Sequence, residues 1–149
     1  MKKLLALVCA IAVPLAPSFA ADADGRMLVE MPLEARAEMR AEMLDFQTAL
    51  HSIITALVER NYTDAADIAE KQMGVSAMGR HRNAPPNARP GMFMPNDMHA
   101  IARGMHVSAT DFARAARATP KAGNPTKALA ALQAVTGACV ACHRSYRTQ

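Results

Sequence analysis

Beyond residue 20 no stretch of the chain strictly alternates apolar and polar residues, whereas four stretches repeat apolar residues at spacings of three and four. That pattern excludes a half-buried sheet and predicts an all-α mature chain. The first helix is expected to open at Pro32, with Glu34 and Glu38 early where the helix dipole favours acids, and to run to about Val58. Its stripe is Met39, Met43, Phe46, Leu50, Ile53, Ile54 and Leu57. A second helix takes Asn61 as N-cap with Asp64 three positions on, and carries Ala65, Ile68, Ala69 and Met73 until Gly74 to Gly79 frays it. A third is expected to be capped by Asn96 and to turn Met98, Ile101, Ala102, Met105, Ala109, Phe112 and Ala116 inward. Thr119 to Asn124, with Pro120 and Gly123, ends it. The fourth has Pro125 in its first turn and continues through Leu129, Leu132, Val135, Cys139, Cys142, His143 and Tyr146 almost to the C-terminus.

Between the second and third helices, GRHRNAPPNARPGMFMP from Gly79 to Pro95 holds four prolines and two glycines, which reads as a long crossover loop without regular structure. Four helices, two short links and one long one describe an antiparallel four-helix bundle.

The first twenty residues, MKKLLALVCAIAVPLAPSFA, have the form of a secretory signal: Lys2 and Lys3, an apolar run from Leu4 to Leu15, and Ser18-Phe19-Ala20 before Ala21. The run is too short, and too closely followed by small residues, to be kept as a membrane span. Residues 1–20 are therefore expected to be removed, leaving residues 21–149 as one exported, periplasmic domain. Without Lys2 and Lys3 the 17 basic residues fall to 15 against 13 acidic ones, a balance that does not suit a nucleic-acid partner. The chain has no Trp, four Phe including one in the leader, and two Tyr, against 11 Met. Something other than aromatic side chains has to fill the interior.

Cys9 lies within the leader, so the mature chain keeps only Cys139 and Cys142. They stand in Cys139-Val140-Ala141-Cys142-His143, the C-x-x-C-H pattern in which two thiols add to the vinyl groups of a haem and the following histidine takes the iron. On a helix, positions i, i+3 and i+4 share a face, so both sulfurs and the imidazole address one porphyrin together. Export fits as well, because this attachment is made outside the cytoplasm. Three other readings compete. A dithiol redox site wants a βαβ setting, and the pattern contains no strand. A zinc site wants a second ligand pair, and no second C-x-x-C exists. A disulfide across so small a loop adds little stability.

The C-terminal run CVACHRSYR, Cys139 to Arg147, on the last of four helices resembles the class II c-type cytochromes: cytochrome c-prime and its low-spin, six-coordinate relatives. The resemblance covers the mature chain in architecture, with specific matches in this run and in the methionine-bearing first helix. It implies one covalent haem c with His143 as the proximal ligand. In c-prime proteins the other side of the iron is open; in the low-spin relatives a methionine early in the first helix fills it. Met39 and Met43, one turn apart at the end of the bundle nearest the motif, are the candidates, and counting back from the turn at Arg60-Asn61 favours Met43. Phe46 is then expected along the porphyrin, Arg36 and Arg40 near the propionates, and Tyr146 as a shield on the proximal side.

The function implied is one-electron transfer with periplasmic redox proteins, with no bond-making on a substrate, no stable membrane insertion, and a homodimer through the first two helices. The rival is a five-coordinate, c-prime-like protein that captures nitric oxide or carbon monoxide. A third reading concerns Met78, His81, Met92, Met94, Met98, His99, Met105 and His106 in and beside the loop: thioethers and imidazoles suit copper, but their irregular spacing reads first as a Met-rich cover.

Overall fold

The computed structural model describes residues 24–148, so the leader expected at residues 1–20 lies outside the described residues. The protein is mostly helical: α1 (Leu33–Val58), α2 (Tyr62–Met73), α3 (Asn96–Arg117) and α4 (Thr126–Ser145). Two short strands, β1 (Met27–Leu28) and β2 (Tyr146–Arg147), pair in parallel and correct the expectation of helix alone. None of the described helices is long and apolar enough to cross a membrane.

Three helices begin immediately after a proline. The carbonyls of Pro32, Pro95 and Pro125 accept the first helical bonds, from Arg36, His99 and Leu129 at 3.0, 3.0 and 2.9 Å. Each proline thus stands at the N-cap, where the backbone is half in the helix and the cap carbonyl already accepts a bond. Asn96 is accordingly the first helical residue of α3 and not its cap. Asn61 does cap α2, its side chain accepting from the Asp64 amide at 3.4 Å. The α1–α2 turn closes with two bonds, Asn61 N–H to the Ala56 carbonyl at 2.7 Å and Arg60 N–H to that of Leu57 at 3.1 Å. This is the Schellman arrangement, with Arg60 at φ 57° where glycine is usual.

α1 packs on α2, α2 on α3 and α3 on α4, whereas α1 and α4 barely approach one another. The main core joins Ala49, Ile53 and Ala56 of α1 to Ala65, Ala66, Ala69 and Met73 of α2, Phe112 and four other residues of α3, and Ala128, Leu132 and Val135 of α4. On α1 this differs from the expected stripe. Of its seven residues only Ile53 is buried; Ile54 is exposed and the others are half-buried, because alanines, together with Ile53, form the buried face of α1. Small side chains win there since they let helix backbones come close.

The crossover segment is more ordered than its composition suggests. It contains single 3-10 turns at Val75–Ala77, Pro86–Ala88 and Pro90–Met92, and it is tied to α1. Arg80 binds Asp45 at 2.7 Å, and the His81 ring lies between the carboxylates of Glu38 and Glu42, 3.3 Å from each.

Candidate functional site

Cys139, Cys142 and His143 lie in the last two turns of α4. Cys139 and Cys142 are free thiols, both half-buried, while His143 is exposed. The Cys139 thiol donates to the Val135 carbonyl at 3.4 Å. Burial pushes both thiols above their ordinary pKa, and Cys139 acts on Cys142 in the same direction. Both therefore stay protonated at neutral pH. A dithiol oxidoreductase needs the opposite, an attacking cysteine with a depressed pKa. On α4, Val140, next to Cys139 in sequence, and Leu129, in the first turn, are 54% and 49% exposed.

On α1, Met39, Met43, Phe46 and Leu50 are all half-buried. Phe46 and Leu50 pack against the main core, as does Cys139. Met39 packs against a second, smaller cluster of Val29, Met31, Ala35 and Met98, and so do Cys142 and Tyr146. Met43 belongs to neither cluster. The structure thus brings Met39 and Cys142 to the smaller cluster, Phe46 and Cys139 to the main one, and Met43 to neither. Arg36 is half-buried on this stretch of α1, whereas Arg40 is exposed.

Tyr146 requires a correction. It was expected on the helical face of His143, but α4 ends at Ser145 and Tyr146 is extended, in β2, with its ring on the smaller cluster. The strand that recruits it, β1, was not foreseen. Residues 24–31 form an arm that lies along the end of α4, and its Val29 and Met31 are buried. The one signal for it is the apolar run Met27-Leu28-Val29 ahead of Pro32, which the helical periodicity of α1 does not include.

The methionines and histidines of the crossover region do not converge. His81 is held by Glu38 and Glu42, the His99 Nε2 faces the Gly91 carbonyl at 2.7 Å, and the His106 Nδ1 faces that of Met73 at 2.8 Å. Met98 and Met105 are buried in different clusters and Met92 is exposed. Among the described residues no group of three or more His, Cys, Asp or Glu could hold a metal ion. His106 also meets Phe46 edge-on, ring centroids 6.0 Å apart.

A scan against protein-family models and searches of curated proteins and of solved structures return no match.

Proposed function

We propose that this chain is an exported, periplasmic monohaem c-type cytochrome that carries single electrons, built as an antiparallel four-helix bundle with haem c in the seam between α1 and α4. The observation that carries the reading is the C-x-x-C-H run itself, with both thiols half-buried near the end of α4, a helix with which α1 makes little contact. Each thiol S–H adds across one vinyl C=C bond, which consumes both cysteines and needs no added oxidant or reductant. The haem iron supplies one-electron chemistry, and the protein sets its potential through the axial ligands and burial.

His143, exposed and beside Cys142, serves as the proximal ligand. Met43 is the preferred distal ligand and Met39 the alternative, since Met39 already packs with Cys142 and Tyr146 on the smaller cluster while Met43 is committed to neither cluster. Phe46 lies along the ring, Tyr146 closes the end nearest Cys142, and Arg36 and Arg40 meet the propionates. Redox partners meet the edge beside Val140, which is exposed next to Cys139. Leu33, Leu44 and Val58, exposed on one face of α1, support a homodimer through the first two helices.

Absorption spectra of the periplasmically matured protein test this, taken oxidised and reduced, with and without carbon monoxide. The expected result is covalently retained haem with a low-spin ferrous spectrum that carbon monoxide does not change, and prompt carbonyl formation in Met43→Ala. Carbonyl formation in the unaltered protein would replace electron transfer by the c-prime-like, gas-binding reading. Loss of all haem on denaturation would overturn both.

A further inference from the structure

The arm has three kinds of attachment to the end of α4. Its backbone pairs Met27 with Tyr146 and Leu28 with Arg147, and the Val29 N–H donates to the Arg147 carbonyl at 2.8 Å. Its apolar side chains Val29 and Met31 enter the cluster on which Cys142 and Tyr146 pack. Its charged end completes the set: Asp24 binds Arg26 at 2.6 Å and lies 3.7 Å from the Arg147 Nε, and the Arg26 guanidinium donates to the His143 carbonyl at 3.3 Å.

That carbonyl belongs to the last turn of α4, where carbonyl groups lack a partner N–H within the helix and where a cation is favoured by the dipole. Arg26 meets both needs at the residue that follows the second cysteine. The Arg26 hydrogen bonds hold the Asp24 carboxyl at a pKa of about 2, so the triad of Asp24, Arg26 and Arg147 keeps its charges throughout the neutral range.

We infer that Arg26 is a positioning residue for His143: it fixes the helix turn that carries the imidazole and sets a positive charge at the backbone carbonyl of that residue, which Asp24 offsets. The inference rests on the proposed haem ligation by His143. Two consequences follow from electrostatics. Removing the guanidinium leaves the ferric state, the more positive one, less disfavoured, so the midpoint potential falls. Removing the opposing carboxylate does the reverse. An arm that acts only as packing would give both substitutions one direction, because each would loosen the same contact.

The experiment is a redox titration of the matured, haem-bearing protein and of Arg26→Ala, Arg26→Lys and Asp24→Asn. The expected result is a downward shift for Arg26→Ala that shrinks as salt is added, near-recovery for Arg26→Lys, and an upward shift for Asp24→Asn. Shifts of one sign in Arg26→Ala and Asp24→Asn, or no shift in either, would overturn the inference. A preparation with no covalent haem would overturn the functional reading alone. In that protein, faster hydrogen exchange at the Val29 amide and in the last turn of α4 on Arg26→Ala would support the positioning role of Arg26, and unchanged exchange would overturn it.

Discussion

The α2–α3 side of the molecule and the α1–α4 side solve opposite problems with the same helical pattern. On the first, Ala65, Ala66, Ala69, Ala109, Ala113 and Ala116 are all buried in the main core, and Phe112 at 0% exposure fills the space between helices. Polypeptide closes that side by itself. On the second, Met39, Met43, Phe46 and Leu50 of α1 and Cys139 of α4 are half-buried, and Leu129 and Val140 are exposed. Large flexible or flat side chains are the half-buried ones, and alanines are the fully buried ones. A chain without Trp and with few aromatic residues gains its missing bulk, on the proposed reading, from the haem in that seam.

On the proposed reading, the largest effect is expected from removing the haem attachment. Cys139→Ala with Cys142→Ala abolishes covalent attachment and leaves the seam without its largest apolar group, so the cooperative thermal transition of the matured protein is expected to collapse. Circular dichroism melts of the two proteins check this, and equal, cooperative melts would break the contrast between the two sides. Next comes Phe112→Ala in the closed side, expected to cost about 3–5 kcal/mol in denaturant unfolding whatever the state of the seam. Phe46→Ala, half-buried in the seam, is expected to cost roughly half as much and to perturb the haem spectrum, which Phe112→Ala leaves unchanged.

These sites differ in how readable they were. The helices and the motif were legible because their signals are local: caps, prolines and the spacing of three and four residues in one stretch of chain. The boundaries moved by a residue only because each proline takes the N-cap. The face of α1 was misread for a physical reason. The buried Ala35, Ala49, Ile53 and Ala56 and the half-buried Met39, Met43, Phe46 and Leu50 occupy adjoining flanks with the same period, and size pointed to the wrong flank. Nothing local marks the pairing of β1 with β2, two strands of two residues from opposite ends of the chain, nor the seating of His81 between Glu38 and Glu42. Both arise from tertiary packing.

A smaller effect separates tight from loose sides by addition in place of deletion. Ala113→Leu inserts bulk where α3 has no exposed surface and is expected to destabilise by about 1–3 kcal/mol. Ala130→Leu, on the exposed surface of α4, is expected to stay within about 0.5 kcal/mol of the unaltered protein. Chemical denaturation of both variants reads the difference.

The smallest effect sharpens the closed side at its edge, where Glu70 ties the end of α2 to α3. Its carboxylate accepts from the Thr110 hydroxyl at 2.7 Å and from the Ser76 amide at 3.3 Å, while that hydroxyl accepts from the Val75 amide at 2.9 Å. Gly74 lies against the same side chain, a Cβ there meeting the Glu70 carboxylate at 2.6 Å. The Thr110 hydrogen bond first, and the Ser76 bonds after it, lower the Glu70 pKa below its ordinary 4.5, against the burial that raises it. A carboxylate depressed on folding stabilises the protein fully above its unfolded value and loses that contribution as pH falls through the folded one. Glu70 is only half-buried and solvent screens it in part, so the contribution is expected to be at most about 1 kcal/mol. Glu70→Gln should therefore be slightly less stable than the unaltered protein at neutral pH, with the gap closing as the pH falls below about 4.5. A gap that stays constant across that range would mean that the carboxylate's charge contributes nothing to the tie between α2 and α3.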